Sequence, residues 1–93
     1  MKNKEQLHYL LERYLEGEYT TEDFTDEFSR IYHLEVEHRL FSEREHFYMN
    51  ELAITVNRFS PSKEDLEKFP SFYLGEDDIR KKVNEIFEEL QKD

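Results

Sequence analysis

The chain has no cysteine and no tryptophan, and only two glycines and two prolines among 93 residues. Without thiols, neither a disulfide nor a thiolate metal site can form. Gly17 and Gly75 stand far apart, which excludes the glycine-rich loops that cradle phosphate. No apolar run approaches the ~20 residues a helix needs to cross a bilayer. The opening stretch, Met1 to Gln6, also lacks the apolar segment of a secretion signal. A cytoplasmic protein is the expectation. Positive charge is scarce too: 13 Lys and Arg face 23 Asp and Glu, a formal net charge of −10. Such a field repels nucleic acid and anionic membrane and steers in a basic partner. The excess is concentrated, with nine carboxylates and three arginines between Glu18 and Glu45 and a second acidic stretch opening at Asp77 and Asp78.

Enough apolar material remains for one modest core. Leu, Ile, Val and Phe number 25, and eight Phe and six Tyr supply large buried areas. A chain of this length buries only ~60–65% of its unfolded surface, so a single domain over residues 1–93 is expected.

The scarce glycines and prolines divide the chain into amphipathic segments. Leu7, Leu10, Leu11, Tyr14 and Leu15 keep helical spacing over about 2–16, and Gly17 stands where a helix-terminating glycine belongs. Thr20 or Thr21 caps a second helix with Phe24, Phe28, Ile31 and Leu34 on its buried stripe, ending near Glu37 or Leu40. Ser42 with Glu45 reads as a capping box that opens a third helix. Its face is expected to carry Phe47, Tyr48, Leu52, Thr55, Val56 and Phe59, and Ser60-Pro61 stops it. Ser62 can cap one short turn over residues 63–68 within the connection to Gly75. A last helix over about 77–92 shows Ile79, Val83, Ile86, Phe87 and Leu90 at i, i+4, i+7, i+8 and i+11. The expected fold is all-α, an antiparallel four-helix bundle.

Chemistry-bearing constellations are few. No serine stands in a nucleophile-elbow sequence. Two Glu-x-x-His units, Glu35 with His38 and Glu43 with His46, resemble the i, i+3 pairs of di-metal bundles. Both crowd one hairpin, however, and two further inward glutamates would be needed, so no metal and no cofactor is expected. His8 and His33 read as half-exposed helix residues. Tyr9, Tyr14, Phe24, Phe28, Phe47, Phe59 and Phe87 read as core. Phe69, Phe72 and Tyr73 either cover the core or offer an anchor to a partner.

The second half carries a resemblance. The run from Asn57 to Asp65, with its Arg58-Phe59-Ser60-Pro61 turn, and the run from Tyr73 to Leu90, with its Asp77-Asp78 helix start, look like the colicin D-type immunity proteins. The stretch from Tyr14 to Phe28 is similar to that family's first hairpin. The resemblance implies a small acidic helical protein, without catalysis, that covers the basic active-site cleft of a tRNA-cleaving toxin. Its carboxylates would stand where RNA phosphates lie. One departure is visible: the family's turn carries carboxylates where this chain has Asn57, Ser60 and Ser62, and the nearest acids are Glu51, Glu64, Asp65 and Glu67. On this reading the partner-binding residues are Glu64, Asp65, Glu67, Phe72, Tyr73, Glu76, Asp77 and Asp78. The partner is a basic nuclease toxin domain, with no direct nucleic-acid or membrane contact, and the chain is a monomer before binding. The alternative is an acidic adaptor that binds a basic region of a cellular protein.

Overall fold

Capping side chains and one left-handed glycine set most helix boundaries in the computed structural model, which describes residues 4–92. Helix α1 spans Lys4–Leu15. Gly17, at φ +87°, ends it with two reversing bonds, Gly17 N–H to the Tyr14 carbonyl (2.9 Å) and Glu18 N–H to the Arg13 carbonyl (3.0 Å). A side chain at that φ would be strained, so glycine is required there. Helix α2 spans Thr21–Arg30, and the Thr20 hydroxyl accepts from the Asp23 N–H at 3.1 Å.

The second helix does not run on as an α-helix to residue 37 or 40. It widens into a π-turn over Ile31–Glu35, followed by a short 3₁₀ turn over His38–Leu40. The wide turn shifts the phase of the stripe: neighbouring Ile31 and Tyr32 are both buried, and Leu34 is thrown outward at 79% exposure. Arg30 ties the turn from outside by pairing with Glu27 and Glu35. Burial pushes the Tyr32 phenol pKa up.

Helix α3, Glu43–Val56, starts on the expected capping box. The Ser42 hydroxyl accepts from Glu45 N–H (3.1 Å), and the Glu45 carboxylate accepts from Ser42 N–H (2.9 Å). The other oxygen of that carboxylate meets His8 of α1 at 3.2 Å. Its buried face matches the predicted one at Leu52 and Val56, with Tyr48 and Phe59 half-buried beside them, and differs at Phe47. Met49, Leu52, Ala53 and Val56 point inward, whereas Phe47 is 57% exposed, because α3 packs between α2 and α5 on the 49/52/53/56 side. Tyr9 likewise lies outside the core, with the Arg13 guanidinium 5.2 Å over its ring.

A six-residue helix α4, Lys63–Lys68, and helix α5, Glu76–Gln91, complete five α-helices among the described residues. They contain no strand, only an isolated bridge between Phe59 and Leu74. Ile79, Val83 and Ile86 of α5 are buried, and Phe87 and Leu90 pack half-buried on the same cluster. Helix α5 touches α1, α2 and α3. At its far end Glu89 accepts from Tyr48 (3.2 Å) and from Lys92 (2.8 Å). Those two bonds, Lys92 first, hold its pKa below the usual carboxylate value.

Aromatic rings fill the middle. Tyr14 stacks on Phe24 at 4.3 Å between centroids, and Phe28 on Tyr32 at 5.5 Å. One polar intrusion is satisfied in series: the buried Tyr14 hydroxyl meets the Thr21 hydroxyl at 2.8 Å, and Thr21 donates to Glu76 at 3.0 Å. No buried side-chain nitrogen or oxygen among the described residues lacks a partner, as a low-dielectric interior requires.

Candidate partner-binding surface

Helix α4 is too short to persist by its own propensity, so side chains hold it. The Ser62 hydroxyl accepts from Asp65 N–H at 3.3 Å. The buried Ser60 hydroxyl donates to the Asp65 carboxylate at 2.9 Å while accepting from Ser62 N–H. Asp65 is therefore a fastening between α4 and the turn after α3. Glu64 forms an exposed i, i+4 pair with Lys68 at 2.7 Å, a contact worth only a few tenths of a kcal/mol. Glu67 is exposed and makes no side-chain bond or ion pair among the described residues.

Beyond α4 the chain turns through Phe69 to Gly75, and this loop is held firmly. Arg58 donates from Nε to the Phe72 carbonyl and from Nη2 to the Ser71 carbonyl, both at 2.7 Å. Its guanidinium lies 5.6 Å from the Phe72 ring centroid. Two backbone bonds stitch the loop to the end of α3: Leu74 N–H to the Arg58 carbonyl (2.7 Å) and Ser60 N–H to the Leu74 carbonyl (3.1 Å). The three aromatics divide between the roles the sequence left open. Tyr73 is half-buried and serves as a base on which Phe69 and Phe72 rest edge-on, with centroids 6.1 and 4.9 Å away. Phe69 and Phe72 themselves are 54% and 53% exposed.

The acids that open α5 also separate by role. Glu76 ends the Tyr14–Thr21 hydrogen-bond series, and Asp78 accepts from Gly75 N–H at 3.2 Å. Asp77 is exposed, with no side-chain partner among the described residues. All three stand in the first turn of α5, where negative charge complements the helix dipole. Leu66, Pro70, Tyr73 and the start of α5 enclose a cleft of about 550 Å³ between loop and helix. The eight predicted site residues thus sit on one continuous segment, α4 through the first turn of α5. Three of its acids, Asp65, Glu76 and Asp78, are engaged in building that segment, and Glu64, Glu67 and Asp77 are available to a partner. The remaining key residue, Arg58, carries no sequence signal for its role, because its contacts are to carbonyls 13 and 14 residues away.

The hairpin histidines are differently disposed. His38 Nε2 donates to the Tyr32 carbonyl at 2.6 Å, and the His38 and His46 rings lie 6.2 Å apart. Among the described residues no three His, Asp or Glu side chains gather as a metal site would need.

Arg58→Ala is expected to leave the helical circular dichroism unchanged while speeding amide exchange at Leu74 by about tenfold or more, because that amide opens with the loop rather than with the whole domain. Exchange at Leu74 that stayed as slow as in the parent would show that the backbone stitches alone hold the loop.

No protein-family model matches the chain, and no curated protein or solved structure matches it significantly.

Proposed function

We propose that this chain is an immunity protein: a cytoplasmic, non-catalytic inhibitor that occupies the basic active-site cleft of a nuclease toxin, with its helices acting as an antiparallel four-helix bundle that carries the binding segment. The observation that supports this best is the pair of exposed aromatics, Phe72 on the loop bonded by Arg58 and Phe69 against the Tyr73 ring, on the same segment as the available carboxylates Glu64, Glu67 and Asp77. Interfaces draw most of their energy from a few aromatic anchors fixed before binding, and from a rim whose charge matches the partner. A nuclease that grips RNA must present Lys and Arg, so the matching rim for it is acidic. The firmly bonded loop favours this reading, since little conformational freedom is left to be lost on association. Resemblance of the second half of the chain to colicin D-type immunity proteins points the same way.

The test is to purify the tagged chain with its bound protein from the source cells at low salt, elute with high salt, and assay RNA cleavage before and after release. A basic nuclease domain that is inactive while bound and active once freed is the expected result. Recovery of a basic protein without nuclease activity would overturn the immunity reading in favour of an acidic adaptor.

A further inference from the structure

We infer that the outward face of α3 is a contact between two copies of this chain, joined antiparallel about a two-fold axis near Asn50. Phe47 and Ile54 are 57% and 56% exposed. They lie seven residues apart, two helical turns, and so share one azimuth on the side opposite Met49, Leu52, Ala53 and Val56. Asn50 and Asn57, on the same strip, are exposed and uncharged. Between Phe47 and Asn57 this strip is thus free of charge, in a chain of which 39% is Asp, Glu, Lys or Arg. Two of the charges at its edge are neutralised within the chain, Arg44 by Glu89 at 3.3 Å and Glu51 by Lys82 at 3.6 Å, and the exposed Glu43, which forms no ion pair among the described residues, stands at its end. A basic partner gains nothing electrostatically from such a face. An acidic body, such as a second copy, meets no unpaired charge there between Phe47 and Asn57, while the rest of the −10 surface keeps it away.

The strip is also self-complementary. An isologous contact places each residue against its mirror position about the axis. With the axis at the strip's middle, Phe47 of each copy meets Ile54 of the other. Glu43 of each copy then approaches the end where Arg58 carries its formal charge, although that guanidinium is already bonded to loop carbonyls. A parallel arrangement would instead set Glu43 against Glu43. One helix face buries less than the ~1,200 Å² of a standard stable interface, so the dimer forms weakly, with a Kd on the order of 100 μM.

Sedimentation velocity on the full chain, over a range of concentrations and at low and high salt, tests the inference. Dimer should appear with concentration and strengthen with salt, because screening relieves repulsion between two like-charged bodies. That is the opposite of the salt effect on a basic partner. Ile54→Glu should raise Kd by more than about tenfold, since it would set a carboxylate against phenylalanine, whereas Ile54→Leu should preserve the dimer. Far-ultraviolet circular dichroism of both variants confirms that the helices remain. A chain that stays monomeric at high salt up to millimolar concentration would overturn the inference, as would a dimer indifferent to Ile54→Glu.

Discussion

Phe28→Ala is expected to destabilise the domain by about 3–5 kcal/mol, the range found when a buried aromatic is truncated to alanine. Phe28 is fully buried, stacked against Tyr32 and tilted against Phe24 with centroids 6.0 Å apart. Removing its ring takes contacts from both neighbours at once. A domain of this length has a total stability of roughly 5–14 kcal/mol, so the loss consumes a large share of it. With a urea slope of ~1–3 kcal/mol/M, the unfolding midpoint should fall by roughly 2 M. A fall below ~0.5 M would mean that the aromatic column closes around the gap, contrary to the close packing that makes such sites expensive.

The second large effect concerns recognition. If the partner is the proposed nuclease, Glu64→Lys, Glu67→Lys and Asp77→Lys together should weaken its binding by on the order of a thousandfold, because single close charge pairs at such interfaces contribute ~1.5–7 kcal/mol. The thermal unfolding midpoint should fall only modestly, mainly because Asp77→Lys sets a positive charge in the first turn of α5. The first residue gives up one exposed pair with Lys68, and the other two make no side-chain bond among the described residues. Reversing Asp65, Glu76 and Asp78 would be a poor substitute, since those carboxylates hold Ser60, Thr21 and Gly75 N–H. Loss of binding there would follow from a damaged scaffold. Affinity unchanged by the triple reversal, measured by isothermal titration calorimetry, would place the interface elsewhere.

Local chemistry made much of this architecture readable in advance. The Ser42–Glu45 box, the Thr20 and Ser62 caps and Gly17 are short-range devices, and each marks its boundary in the structure. The apolar spacing of α1 and α5 leaves one possible buried side, and it is the one observed. Failures arose where packing overrides pattern. Leu34 fits an α-helical stripe, but a π-turn advances the phase by an extra residue and carries it to the surface. In α3, apolar residues occupy more than one side, so spacing alone does not tell Phe47 from Met49. The candidate surface was legible as an acidic, aromatic segment. Its division into fastening and available carboxylates was not fully so: Asp65 and Asp78 bond near neighbours, Ser60 and Gly75, but the partner of Glu76 is Thr21, 55 residues away.

The place of α5 in the packing has a consequence for biosynthesis. Helices α1, α2 and α3 each lean on this element, which follows them in the chain. While it is still within the ribosome, the inward faces of Leu11, Phe28 and Leu52 have no third wall to close against. Vectorial synthesis therefore cannot complete this core one helix at a time. The core should close only after residues 76–91 are released, whereas α4 and its loop, fastened to the end of α3 by contacts within residues 58–74, do not have to wait for that step. The first turn of α5, with Glu76, Asp77 and Asp78, is thus the last part of the candidate surface to take its place.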